Sequence, residues 1–170
     1  GEDPATKELW DACPRGDWLL WAALRVGVDV KLCVRVALLC AYQALPVWED
    51  YFQNDKEVRR ALEITQAWLD GEVPASDVEA AWLNFEATTR FYPVVSSADQ
   101  IFAMKRVIRN FASIPHAPTI YRDNALSCAL THVAAALATD HVAQMAHLAA
   151  FADLVRENIA WSLVEEKLNE

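Results

Sequence analysis

Proline and glycine divide the chain into intervals, and within each one the apolar residues recur at helical spacing. Pro4 opens a short amphipathic helix over 5–12, which Pro14-Arg15-Gly16 breaks. Asp17 is placed to cap a helix over 18–26 that Gly27 closes. Asp29 caps the next, over 30–45, with Leu32, Val36, Leu39, Cys40 and Gln43 on one face and Pro46 as its end. Residues 47–54 then read as an aromatic connector. Asp55 caps a helix to Asp70 whose face is Val58, Leu62, Thr65 and Leu69, with Gly71 as terminator.

The second half continues in the same way. Ser76-x-x-Glu79 is a capping box for a helix to Tyr92, faced by Val78, Trp82, Phe85, Thr89 and Tyr92 and followed by Pro93. Ser97-x-x-Gln100 is a second box, and Ile101, Met104, Ile108 and Phe111 follow it. Pro115 and Pro118 flank a loop. The remaining 52 residues contain neither Gly nor Pro, too long for one globular helix. Thr139-Asp140 and Ala160-Trp161-Ser162 are the expected breaks, with Ser162-x-x-Glu165 opening the terminal helix. Leu126, Ala129, Val133 and Leu137 line one helix; Val142, Met145, Ala149, Ala152 and Val155 line the next. The alanine-rich run 125–155 suggests two closely packed antiparallel helices. The expectation is all-α: a single domain over 1–170 of eight or nine helices, with no sheet.

Composition sharpens this. Hydrophobic residues make up 54% of the 170, enough for a core without disulfide or metal staples. Four glycines, all isolated, exclude a glycine-rich phosphate loop and a dinucleotide fingerprint. The net charge of −9 argues against non-specific nucleic-acid binding. The charge is uneven: residues 49–86 hold ten acidic and three basic groups, whereas 87–122 hold one acidic and five basic. No charge-free apolar stretch reaches about 18 residues, so no membrane span is expected. No signal-peptide pattern is present, and the start at Gly1 reads as a trimmed product compatible with a removed leader. A cytoplasmic location is expected.

Catalytic and metal signatures are sparse. Cys13, Cys33, Cys40 and Cys128 are too scattered for a disulfide framework and read as free, buried thiols. Cys128 and His132 share a helical face and could be a nucleophile with its base or two metal ligands. Their alanine- and leucine-rich helix reads more simply as a packed interface. HExxH, CxxC and GxSxG are absent, and no catalytic residue, metal or cofactor is expected. Of the seven tryptophans, Trp18, Trp21, Trp68 and Trp82 stand in apolar stripes and are expected to be buried. Trp48 and Tyr51, beside Glu49 and Asp50, form an acid-framed aromatic cluster suited to anchoring a protein partner. Asp70 and Glu72 flank a helix C-terminus, where negative charge is unfavourable, so they join that candidate partner surface.

Three blocks carry a resemblance: Trp10-Asp11-Ala12-Cys13-Pro14-Arg15-Gly16-Asp17-Trp18-Leu19-Leu20-Trp21, Arg60 to Glu72 (RALEITQAWLDGE), and Ala152 to Trp161 (ADLVRENIAW). Their order resembles the all-helical immunity proteins of bacterial polymorphic-toxin systems, immunity family five. The middle departs from that pattern: an Ala/Tyr-rich run is replaced by a segment carrying Phe91, Phe102 and Phe111. The resemblance implies a protein that binds and neutralises a cognate toxin by occlusion, the toxin being basic and nuclease-like. It implies no catalytic residues. The competing readings are a helical scaffold or adaptor, and an enzyme using Cys128 and His132, which would need a pocket where those groups converge.

Overall fold

The computed structural model describes residues 4–89 and 98–170. Among them are nine helices and no strand: α1 (Pro4–Ala12), α2 (Gly16–Arg25), α3 (Val30–Tyr51), α4 (Glu57–Leu69), α5 (Ala75–Thr89), α6 (Ala98–Ser113), α7 (Thr119–Leu137), α8 (His141–Asn158) and α9 (Trp161–Leu168). Phe91, Tyr92, Pro93, the Ser97 capping box and the Ile101 side chain lie outside what is described.

The fold is assembled around α7, which packs on α6, α3, α2 and α8. A helix with four neighbours must be apolar nearly all round, and Leu126, Ala129, Leu130, Val133, Ala134 and Ala136 are all buried. The alanine-rich run therefore serves several contacts rather than one α7–α8 pair. On α8 the buried face is Leu148, Phe151, Ala152 and Val155; Val142, assigned to that face from periodicity, is 79% exposed in the first turn.

Several stop and start signals act as the sequence suggests. Gly27 (φ 97°) and Gly71 (φ 79°) end α2 and α4 in Schellman motifs. In each, the glycine amide and the next amide (Val28, Glu72) donate back to carbonyls of the last turn. The Asp29 carboxylate accepts from Leu32 N at 3.0 Å, and Asp140 from Ala143 N at 2.8 Å. The N-cap of α4 is Lys56 rather than the expected Asp55, but Asp55 Oδ1, one residue earlier, accepts from Glu57 N at 2.8 Å.

Other expectations need correcting. Pro46 does not end α3, which runs on to Tyr51. The ring faces solvent, and burial of Ala44, Leu45 and Trp48 around it outweighs the local cost of about 3 kcal/mol. The added length makes α3 long and apolar enough, by length and composition alone, to cross a membrane. Half of that window is buried inside the fold, as in a core helix. Ser76 forms no capping box: α5 starts at Ala75, after Pro74. Asp17 is no cap either. It is buried in the first turn of α2, where its carboxylate holds Arg15 (Nε at 2.8 Å) and accepts the Thr131 hydroxyl of α7 at 3.0 Å. Trp68 and Trp82 are half-buried against the core, but Trp18 and Trp21 are 58% and 43% exposed.

Gly16 sets how closely α2 meets α8. A Cβ there would lie 2.6 Å from the Phe151 carbonyl carbon and 2.7 Å from Ala152 N, backbone atoms that cannot move aside. Gly16→Ala should therefore cost about 1–3 kcal/mol, as overpacking does. Gly71→Ala has open space, so only the positive φ is penalised, at about 1 kcal/mol. Urea melts followed by circular dichroism should rank Gly16→Ala below Gly71→Ala in stability.

Candidate functional site

Two concave surfaces, one apolar and one cationic, stand out. The apolar groove, about 590 Å³, lies where α1, α2, α7 and α9 meet. Its wall is aromatic: Trp10 and Trp161 pack with ring centroids 6.1 Å apart, and Trp18 and Trp21 project from α2. Leu9 (72% exposed) and Leu168 (49%) complete it. Arg15 lies over the Trp18 ring at 4.7 Å and Arg25 over Trp21 at 5.8 Å. Arg15 in turn is fixed by Asp17, and Arg25 sits 3.6 Å from buried Asp123. The Trp161 indole N–H is buried with no acceptor among the described residues. Arg156 of α8 ties down the end of α1 behind the groove. Its guanidinium donates to Trp10 O (3.2 Å) and Cys13 O (2.9 Å), satisfying carbonyls at the end of α1.

Sequence reasoning missed this groove because Trp18 and Trp21 read as core. One signal was present. Arginines stand three residues before Trp18 and four after Trp21, the spacings at which side chains stack on a helix surface.

The structure does not bring the sequence-selected partner residues into one exposed cluster. Trp48 is 2% exposed, packs on Phe52 (4.7 Å) and Phe85 (5.6 Å), and donates its indole N–H to Asp55 Oδ2 at 3.0 Å. It is a core residue, held inside because α3 continues past Pro46. Glu49 is paired with both Arg59 nitrogens at 2.8 Å, and that hydrogen bonding lowers its pKa. Asp70 accepts from Gln66 and Arg35, both at 2.8 Å, which likewise lowers its pKa. Arg35 also donates to Leu69 O, so it neutralises the C-terminus of α4 that Asp70 would otherwise oppose. Asp70 therefore has a local structural role. Asp50, Tyr51 and Glu72 are exposed.

Cys128 and His132 do meet a cleft, of about 800 Å³, between α5, α6 and α7. Glu86, Lys105, Arg106 and Arg109 line it with them. No hydrogen bond joins Cys128 to His132 among the described residues, so a thiol–imidazole couple is not assembled. Burial, reinforced by nearby Arg106, pushes the His132 pKa down and keeps the ring neutral. Among the described residues no group of three or more His, Cys, Asp or Glu is gathered to hold a metal ion.

All four cysteines are free, but only Cys33 and Cys40 are buried; Cys13 is half-buried and Cys128 exposed. Burial raises the Cys33 and Cys40 pKa values from 9.0 to about 12.

Two measurements follow from these contacts. Asp55→Ala strips the acceptor from buried Trp48 Nε1 and should cost about 1–3 kcal/mol. A double-mutant cycle with Trp48→Phe should recover part of that loss. Native-state alkylation should label Cys128 fastest and spare Cys33 and Cys40 until the chain unfolds. Because those two thiols ionise first in the unfolded chain, stability should fall as pH rises from about 9 towards 12. The slope is at most about 1.4 kcal/mol per thiol per pH unit, readable from urea melts at successive pH values.

One of the comparisons with known proteins points to an immunity role. Residues 29–122, from the Asp29 cap of α3 to the first turn of α7, match the family model described as Imm-5 like putative immunity protein. No curated protein and no solved structure matches the chain significantly. Of the three resembling blocks, 60–72 lies inside the matched residues, and 10–21 and 152–161 lie outside them. The match covers more than half of the 170 residues, and the chain belongs to the family of Imm-5 like putative immunity proteins.

Proposed function

We propose that this protein neutralises a bacterial toxin in the cytoplasm by occlusion, docking it on the aromatic groove between α1, α2, α7 and α9. The observation that carries the reading is the pair of exposed tryptophans, Trp18 and Trp21, each overlaid by an arginine at the lip of an apolar groove. Tryptophan and arginine dominate the energetics of protein interfaces, and a preformed groove lets them bind without large rearrangement. The matching partner surface is an apolar segment that fills the space between the tryptophans and Leu9 and Leu168.

The acid-rich stretch 49–86 supports a second contribution. Asp50 and Glu72 are exposed and, among the described residues, have no ion pair. Asp50, next to Tyr51 near the start of α4, and Glu72, just past its end, add negative charge that would steer a basic, nuclease-like toxin during encounter.

Binding kinetics with the product of an adjacent toxin gene separate these contributions. Trp18→Ala/Trp21→Ala should raise the dissociation rate about a hundredfold or more and abolish protection of growth. Asp50→Lys/Glu72→Lys should lower the association rate about tenfold at low salt and leave dissociation unchanged. A folded double-tryptophan variant that binds as tightly as the parent would overturn the groove as the docking site. A bound neighbour without toxicity would favour an adaptor instead.

A further inference from the structure

The cleft between α5, α6 and α7 is chemically unlike the rest of this acidic molecule. Five of the other described arginines face carboxylates: Arg15 with Asp17, Arg25 with Asp123, Arg35 with Asp70, Arg59 with Glu49, and Arg156 with Asp153; Arg122 instead donates to Ala117 O. Arg106 and Arg109, three apart on α6, have no carboxylate partner among the described residues, and both line the cleft. Lys105 adds a third positive charge and is anchored by donating to Thr89 O at 2.9 Å. Phe102, one turn earlier, is exposed, and the Arg106 guanidinium lies over its ring at 5.0 Å. Trp82 lines the other wall, from α5.

We propose that this cleft binds a small aromatic phosphate ester of the nucleoside monophosphate class. Arg106 and Arg109 present planar forks that match phosphate oxygens bidentately, and Lys105 adds a point charge. Phe102 and Trp82 supply faces on which a base can stack. Glu86, which would repel a bare anion, accepts from a ribose hydroxyl or an exocyclic amine. His132, held neutral, offers one donor and one acceptor without adding charge. The volume, about 800 Å³, falls within the range of small-molecule sites. This site is separate from the aromatic groove and is tested without any toxin.

The experiment is calorimetric titration of the full chain with AMP, and separately with adenosine and with inorganic phosphate. AMP should bind saturably and more tightly than either half. Arg106→Gln/Arg109→Gln should weaken AMP at least about tenfold, and both side chains are exposed, so the far-ultraviolet circular dichroism should be unchanged. Phe102→Ala should weaken AMP and leave phosphate unaffected. Rising salt should weaken binding in the parent. No saturable heat at millimolar AMP would overturn the proposal. So would phosphate binding as tightly as AMP, or a folded double-arginine variant that binds like the parent.

Discussion

The packing of four helices against α7 is the constraint from which the rest of this structure follows. A helix contacted by α2, α3, α6 and α8 must be slim where they meet it, and Ala129, Ala134 and Ala136 keep it so. Close packing propagates outward. α2 can approach α8 only because Gly16 has no side chain, and the Asp17 carboxylate pins α2 to α7 through Thr131. That carboxylate is buried beside Arg15, so its charge is neutralised where it would otherwise be costly. The same arginine extends over Trp18. An internal tether and a surface feature thus share one side chain.

Much of the architecture was legible because it is written locally. Gly27, Gly71, Asp29 and Asp140 act within a turn of their own helices, and no distant contact overrides them. The α4 face of Val58, Leu62, Thr65 and Leu69 is wholly buried, as periodicity indicates. What failed were inferences in which a distant residue decides. Pro46 was an end signal until Trp48 found Asp55 and Phe85. Asp70 was unfavourable at its helix end until Arg35, 35 residues away, met it.

The candidate site was harder to read, because helical period identifies a stripe and not what covers it. Trp18 and Trp21 lie beside buried Leu19 and Leu20. Whether such a tryptophan is core or surface depends on whether α1 and α9 close over it, and they stop short. The cationic cleft left a fainter trace, the positive balance of residues 87–122, but the facing residues Trp82, Cys128 and His132 come from other helices. Residue type announced chemistry in both places; only assembly showed where it was exposed.

The aromatic groove joins residues about 150 positions apart in sequence: Thr6, Leu9 and Trp10 on α1 meet Trp161, Val164 and Leu168 on α9. Chains emerge from the ribosome N-terminus first, at about 5–20 residues per second. Until α9 has emerged, the Arg156 guanidinium of α8 can hold the end of α1, but the groove lacks one wall. The α3–α7 centre can form while α9 is still being made. The surface therefore matures after the α3–α7 centre, and a nascent chain can be folded at that centre before the groove exists.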